Sequence, residues 1–265
     1  MEKSVVGLDT SVPNIARIYD YILGGKNNFE VDRAAAEQIL QLIPQISDGV
    51  IQNRRFLRAA VRYLTQEAGI DQFLDIGTGL PTQGAVHEIA AEVIPAAKVA
   101  CVDYDPGVVS QANSLLTDPG STIAVLGDLR RTGELLVNPE IRNHLDFGRP
   151  VAVLLLAVLH FISDEDDPAG IIAAIRTAVA PGSYLVISHL DAPAPGDTEP
   201  QDKVRGMYAR AGQPVFPRTR QDADRSLEGF EVIDAGEVER HALLPDRASA
   251  PPASEVGWRL VARKT

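Results

Sequence analysis

Phe73-Leu74-Asp75-Ile76-Gly77-Thr78-Gly79 is the stretch on which the fold turns. Its first four residues read as the end of a strand, and its last three as a glycine-spaced turn that opens a helix. Glycine in such a turn lets the backbone come close to a ligand, and a helix start offers unpaired N–H groups. A Gly-x-Gly turn is common, so the two acids around it matter more. Asp75 lies on the strand end just before the turn, and Asp103 closes the next strand. A carboxylate at the end of a second strand is where nucleotide-binding folds hold a ribose, because it accepts hydrogen bonds from two neighbouring hydroxyls. The other reading of Asp103 is a turn or capping residue before Pro106; Asp105 is better placed for that job.

Outward from this motif, strands alternate with helices, as in a parallel sheet covered on both faces. The pattern predicts strands over 72–76, 98–103, 122–126, 151–156 and 183–189, with helices over 82–93, 106–116 and 171–179. The run 151–156 is wholly apolar, as a central strand buried on both faces should be. Beyond it, 191–200 reads as a loop, and 200–225 as partly helical with interruptions at Pro214 and Pro217. Two closing strands are expected over 230–234 and 256–263. Before the sheet, the first seventy residues read as helical. Pro13 can open a helix that places Ile15, Ile18, Tyr19 and Ile22 on one face, and Gly24-Gly25 would end it. Further helices follow over 31–43 and 48–68. The expectation is one domain, with residues 1–70 as a helical cap and 71–265 as the sheet.

Composition narrows the function. The chain has 265 residues, 45% hydrophobic and 23% charged, as a soluble globular protein would. Its 25 Lys+Arg stand against 36 Asp+Glu, a net charge of −11 that opposes polyanionic partners. Nucleic acid is therefore not expected as a partner. Arg54, Arg55, Arg58 and Arg62 form the best basic patch, and a solvated helix face explains it. Cys101 is the single cysteine, inside an apolar run, so neither a disulfide nor a cysteine metal site is expected. No stretch has a signal-peptide core or the length of a membrane span, which points to the cytoplasm and away from membranes.

The segment Asp75-Ile76-Gly77-Thr78-Gly79 with Asp103 resembles the first two motifs of class I S-adenosylmethionine-dependent methyltransferases. Tyr19-Asp20-Tyr21-Ile22-Leu23-Gly24-Gly25-Lys26-Asn27-Asn28-Phe29 and Asn53-Arg54 resemble the N-terminal part of an actinobacterial S-adenosyl methyltransferase family. The resemblance implies a Rossmann-like, mostly parallel α/β sheet of seven strands with an antiparallel last strand, and S-adenosylmethionine as cofactor. It implies that Gly77, Thr78 and Gly79 line the methionine and ribose portion, with Asp75 orienting that loop or the amino group. Asp103 would hold the ribose, Tyr104 would lie beside the adenine, and Asp128, next to Leu129, would accept from the adenine N6. Residues Ala157 to His160 would border the sulfonium. Tyr19, Tyr21 and the Lys26-Asn27-Asn28-Phe29 run would belong to a lid hinged at the glycines, or the tyrosines pack on the sheet and the glycines merely end a helix. Arg54 would reach the cofactor carboxylate, or belong to the basic face. Two departures stand out. Leu80-Pro81 replaces the usual third glycine, and Asp103 stands 28 positions after Asp75, against about 20 after the turn in dinucleotide folds.

Methyl transfer from a sulfonium is an in-line displacement, so alignment is the main task and a base is needed only if the acceptor must lose a proton. His160 and His189 both lie at strand ends facing the expected site, as a base or as wall residues. His160 with Asp164, Asp166 and Asp167 reads as an acidic loop rather than a metal site. The first expectation is a methyltransferase for a small-molecule acceptor. A non-catalytic module that senses the cofactor is the alternative. A nicotinamide-dependent oxidoreductase is the third, weakened by Asp75 before the turn and by the missing glycine.

Overall fold

Short apolar runs separated by helices form the sheet as β1 (Gln72–Ile76), β2 (Lys98–Asp103), β3 (Thr122–Leu126), β4 (Ala152–Leu156) and β5 (Tyr184–Leu190). Two more strands, β6 (Phe230–Val232) and β7 (Gly257–Lys264), complete it. The computed structural model describes residues 9–82, 84–116, 118, 120–192, 205–206, 208–209, 213–242 and 257–265. The seven strands lie in the order β3-β2-β1-β4-β5-β7-β6. β1 to β5 pair in parallel, while β7 runs antiparallel to both β5 and β6. The sheet is thus the mostly parallel one the sequence predicts, with β7 the antiparallel last strand.

All five residues of β1 and of β4 are buried, because helices cover both faces. The two-residue period of a strand sorts their side chains. Leu74, Ile76, Val153 and Leu155 join the core on one face, and Phe73, Ala152, Leu154 and Leu156 the core on the other. Chain order reverses about β1, whose neighbours β2 and β4 lead to opposite halves of the sheet. Such a reversal opens a crevice at the carboxyl ends of the strands.

The N-terminal helices are α1 (Ile15–Ile22), α2 (Glu30–Leu42) and α3 (Ile46–Gln66). Ile18, Ala36, Ile39 and Ile46 make a small core shared by α1, α2 and the start of α3, which lie within the helical cap expected over 1–70. Further along, Phe56, Leu57, Ala59, Ala60, Val61 and Leu64 of α3 belong to a core of the sheet. A buried ion pair, Arg17 Nε to Asp32 Oδ2 at 2.7 Å, joins α1 to α2. The same carboxylate accepts from the N–H groups of Asn14 and Phe29.

Helix α4 (Val86–Val93) starts four residues later than the pattern predicts. Gly84, at φ 80°, breaks the path from the turn, and the Glu88 carboxylate accepts from the N–H groups of Gly84 and Ala85 to open the helix there. Helix α5 (Pro106–Leu115) starts where expected, with Asp105 accepting from Gly107 and Val108 at its N-terminus. Between β3 and β4, two short helices unanticipated by the pattern, α6 (Thr132–Leu136) and α7 (Pro139–His144), fill the face that α8 (Pro168–Ala178) also covers. The proline-rich stretch 193–200, much of 200–212 and residues 243–256 lie outside the described residues. No described helix is long and apolar enough to cross a membrane.

Candidate active site

The turn after β1 folds back onto β2. Gly77 and Thr78 both donate their N–H to the Val102 carbonyl, at 2.8 and 3.1 Å. Gly77 sits at φ 75°, and a Cβ there would come within 2.5 Å of the Val158 side chain. Glycine is needed here for both reasons. Asp75 is buried and accepts from the Thr78 hydroxyl at 2.7 Å, so it braces the loop it precedes. Burial raises its carboxyl to about 6, against the pull of the Thr78 hydroxyl and the Arg54 charge.

Asp103 is buried at the end of β2, with one oxygen on the Gly79 N–H and the other on the Asp105 N–H, both at 3.0 Å. Each oxygen accepts a second hydrogen bond readily, since a carboxylate has about four acceptor positions. Burial raises this carboxyl to about 6 as well, and the two N–H groups pull it down.

The cap closes over this turn. Asn14 caps α1 through its side-chain oxygen and donates its side-chain N–H to Asp105. Asp20 is buried and accepts from the Asn27 N–H, the Asn28 side chain and, across to the sheet, the Thr82 hydroxyl. Gly24, at φ 80°, ends α1. A Cβ on Gly25 would collide with the Asp20 carboxylate. Gly25 and the two asparagines therefore build a cradle for Asp20. Among the resembling positions, Tyr21 turns away: its hydroxyl donates to Glu37, and it lines none of the cavities described below. Tyr19 faces inward instead, donating to the Val50 carbonyl and accepting from Asn53.

Arg54 leaves the basic face of α3 and enters the cleft, its guanidinium carbon 5.7 Å from the Tyr19 ring centre. Its Nε is buried without a hydrogen-bond partner among the described residues. Arg58 and Arg62 stay on the surface, paired with Glu92.

Three adjoining cavities meet at Phe161. The first holds Arg54, Asp75, Gly77, Thr78, Gly79 and Asp103. The second continues past Gly77 and Tyr104 to Asp128 and Leu129. Asp128 is not an open acceptor: Arg130 clasps its carboxylate through Nε and Nη2, the latter at 2.7 Å. The Arg130 guanidinium also lies 5.9 Å from the Tyr104 ring centre.

The third cavity lies beyond Ala157, on the side of β5 and β7. Ala157 holds a left-handed conformation at φ 53°, unusual for alanine, fixed by its N–H on the Ser188 hydroxyl and carbonyl. His160 and His189 both line this cavity, edge to face with ring centres 5.6 Å apart. His189 stacks on Trp258 at 5.0 Å and 3°. Burial lowers the His189 ring to about 4, against the pull of the Leu190 carbonyl, and holds His160 well below its ordinary value. Among the described residues, His160 Nδ1 and His189 Nε2 are buried without hydrogen-bond partners. The acids after His160 have local duties: Asp164 pairs with Arg218, while Asp166 and Asp167 cap turns.

Twelve of the thirteen positions singled out by sequence line these adjoining cavities, and Tyr21 does not. Trp258, Phe161 and Asn53 line them without having been given a role there, and Tyr19, a residue of the expected lid, lines them too. The helical period did place Tyr19 on the inner face of α1. Trp258 reaches the cleft only through the pairing of His189 with Trp258 across β5 and β7.

The cradle suits S-adenosylmethionine. A positive-φ glycine turn, a buried acid with acceptor capacity to spare and an arginine with an orphaned N–H answer its backbone-facing, ribose and carboxylate parts. The family model described as S-adenosyl methyltransferase matches residues 1–264. A crystal structure of a candidate methyltransferase from Thermobifida fusca is 35% identical, with all of both chains covered and a TM-score of 0.87. That of a DUF574 family protein from Streptomyces avermitilis is 37% identical over 97% of this chain and 99% of that one, with a TM-score of 0.86. Mitomycin 7-O-methyltransferase shares the fold at 20% identity, over 83% of this chain and 56% of the other, with a TM-score of 0.50. No curated protein matches the chain.

Proposed function

The chain belongs to the S-adenosyl methyltransferase family, and from that premise we propose that it methylates a small molecule held in the cavity beside Trp258. It is an S-adenosylmethionine-dependent methyltransferase by that membership. The small-molecule reading rests above all on one observation. The cavity that holds the Asp75–Asp103 turn shares Ala157 and Phe161 with the one lined by His160 and His189, each of which has a buried nitrogen without a partner among the described residues.

S-adenosylmethionine, when bound, supplies an electrophilic methyl group on its sulfonium. The chain's own residues do the rest. Gly77, Thr78 and Gly79 give the cofactor a close-fitting floor, and Asp103 accepts from its ribose hydroxyls. Arg54 answers the carboxylate, and Asp75 holds the loop through Thr78. Tyr104 and Leu129 flank the adenine, while Asp128 braces that end through Arg130. Ala157 borders the reacting centre, and Val158 packs against Gly77. His189 takes the acceptor's proton, with His160 at its edge. We place the reaction in the cytoplasm, on the absence of any long apolar run in the sequence.

The test is incubation with methyl-labelled S-adenosylmethionine and a cell extract, followed by separation by size. Label in a small metabolite supports the reading. Label only in protein or nucleic acid would contradict it.

A further inference from the structure

The cavity that lies past Ala157 has a chemistry more specific than that of a general acceptor site. Its flat wall is the His189–Trp258 stack, parallel to within 3°. The indole N–H is already spent on the Arg218 carbonyl at 2.8 Å, so Trp258 offers the cavity only carbon surface. Ile18, Ile22, Val50 and Val215 supply aliphatic sides.

Charge is selected just as sharply. No carboxylate lines the cavity among the described residues, whereas Arg259 does. An ammonium group would enter unpaired and lose its hydration, which disfavours it in such surroundings. The histidines decide the remaining polar chemistry. His189 Nδ1 lies 2.7 Å from the Leu190 carbonyl, which can only accept. Nδ1 therefore carries the proton of the neutral ring, and Nε2 presents a lone pair. Among the described residues that atom is buried without a hydrogen-bond partner, and its residue is only 4% exposed. A lone pair in that position attracts an O–H and repels an anionic oxygen.

We propose that the acceptor is an uncharged, flat aromatic alcohol that lies against the His189–Trp258 wall, with its hydroxyl at the Nε2 edge of the His189 ring, and is methylated on its hydroxyl oxygen. The proposal rests on the reading of this cavity as the acceptor site. In the step, the new bond joins the acceptor oxygen to the methyl carbon as the bond from that carbon to sulfur breaks. The electron pair of the broken bond stays on sulfur, leaving a neutral thioether. The hydroxyl proton passes to His189 Nε2, giving an imidazolium that later returns it to solvent.

The experiment is calorimetric titration of the full chain, saturated with S-adenosylhomocysteine, with 2-naphthol, its saturated analogue decahydro-2-naphthol and 2-naphthylmethylamine. The proposal expects 2-naphthol to bind at least tenfold more tightly than the other two. It also expects His189→Phe, which keeps a stacked ring but removes the lone pair, to erase most of that preference while still binding S-adenosylhomocysteine as the parent does. Equal or tighter binding of the amine or of the saturated alcohol would overturn it. So would the absence of binding by all three, or a preference unchanged in His189→Phe. Failure of the chain to take up S-adenosylhomocysteine in the first place would instead overturn the cofactor reading beneath it.

Discussion

Asp103 meets two backbone N–H groups before any ligand arrives, so its carboxylate is already aimed when a ribose is presented. Asp103→Ala should weaken S-adenosylhomocysteine binding by about 1–3 kcal/mol, the usual cost of losing a charged partner, as read by calorimetry. The pH dependence follows from burial. Asp75 and Asp103 both titrate at about 6, above the ordinary carboxyl value of 3.8. Their charged forms cost the folded protein stability. The free protein should therefore be most stable below about pH 4 as far as these groups go, and lose that contribution as pH rises through 6. Cofactor affinity should move the opposite way, falling below pH 6 as Asp103 gains a proton. A melting series and a binding series over pH 4.5–8 check both signs. Much of this site could be read from the sequence because Asp75, Gly77, Gly79 and Asp103 lie in two strand ends, where position in a local pattern fixes direction. Tyr21 misleads because the motif carrying it serves the cap's own packing, while the 3.6-residue period already turns Tyr19 inward.

Among the elements, α1 and the loop after it are the ones whose meaning changes on folding. Gly24-Gly25-Lys26-Asn27-Asn28 reads in sequence as a hinge or as a plain helix end; Gly24 ends α1, while Gly25 and the two asparagines close around Asp20. Asp20 then reaches the Thr82 hydroxyl at 2.8 Å, tying the cap to the loop between β1 and α4. Removing it strands three donors at once. Asp20→Ala should lower stability by about 1–3 kcal/mol and speed amide exchange over residues 24–30 and 80–85. Unchanged exchange in that loop would mean the cap is held by its apolar contacts alone. Strand positions were legible nearly to the residue, since runs such as 72–76 and 98–103 are bounded by turns on both sides. Helix starts were less so. Gly84 and Glu88 set the beginning of α4, a capping arrangement hidden behind Leu80-Pro81. The helices α6 and α7 escaped because they are only 5 and 6 residues long, too short to establish a period.

For the whole molecule, the site is a product of topology. The reversal of strand order about β1 opens the crevice, and the cap is laid across it by Asn14 on Asp105 and Asp20 on Thr82. The antiparallel return of β7 carries Trp258 beside His189 from the far end of the chain. That last pairing joins residues 69 positions apart in the sequence, and nothing local announces it. The acceptor side of the cleft was therefore the part least legible, and the cofactor side the most. The cofactor side also carries the central claim. Titration calorimetry with S-adenosylmethionine, S-adenosylhomocysteine and NAD, run in parallel on the full chain, tests it most directly. The account predicts saturable binding of the first two at one site per chain and none of NAD. Binding of NAD in preference to both, or no binding of either sulfur compound, would contradict it.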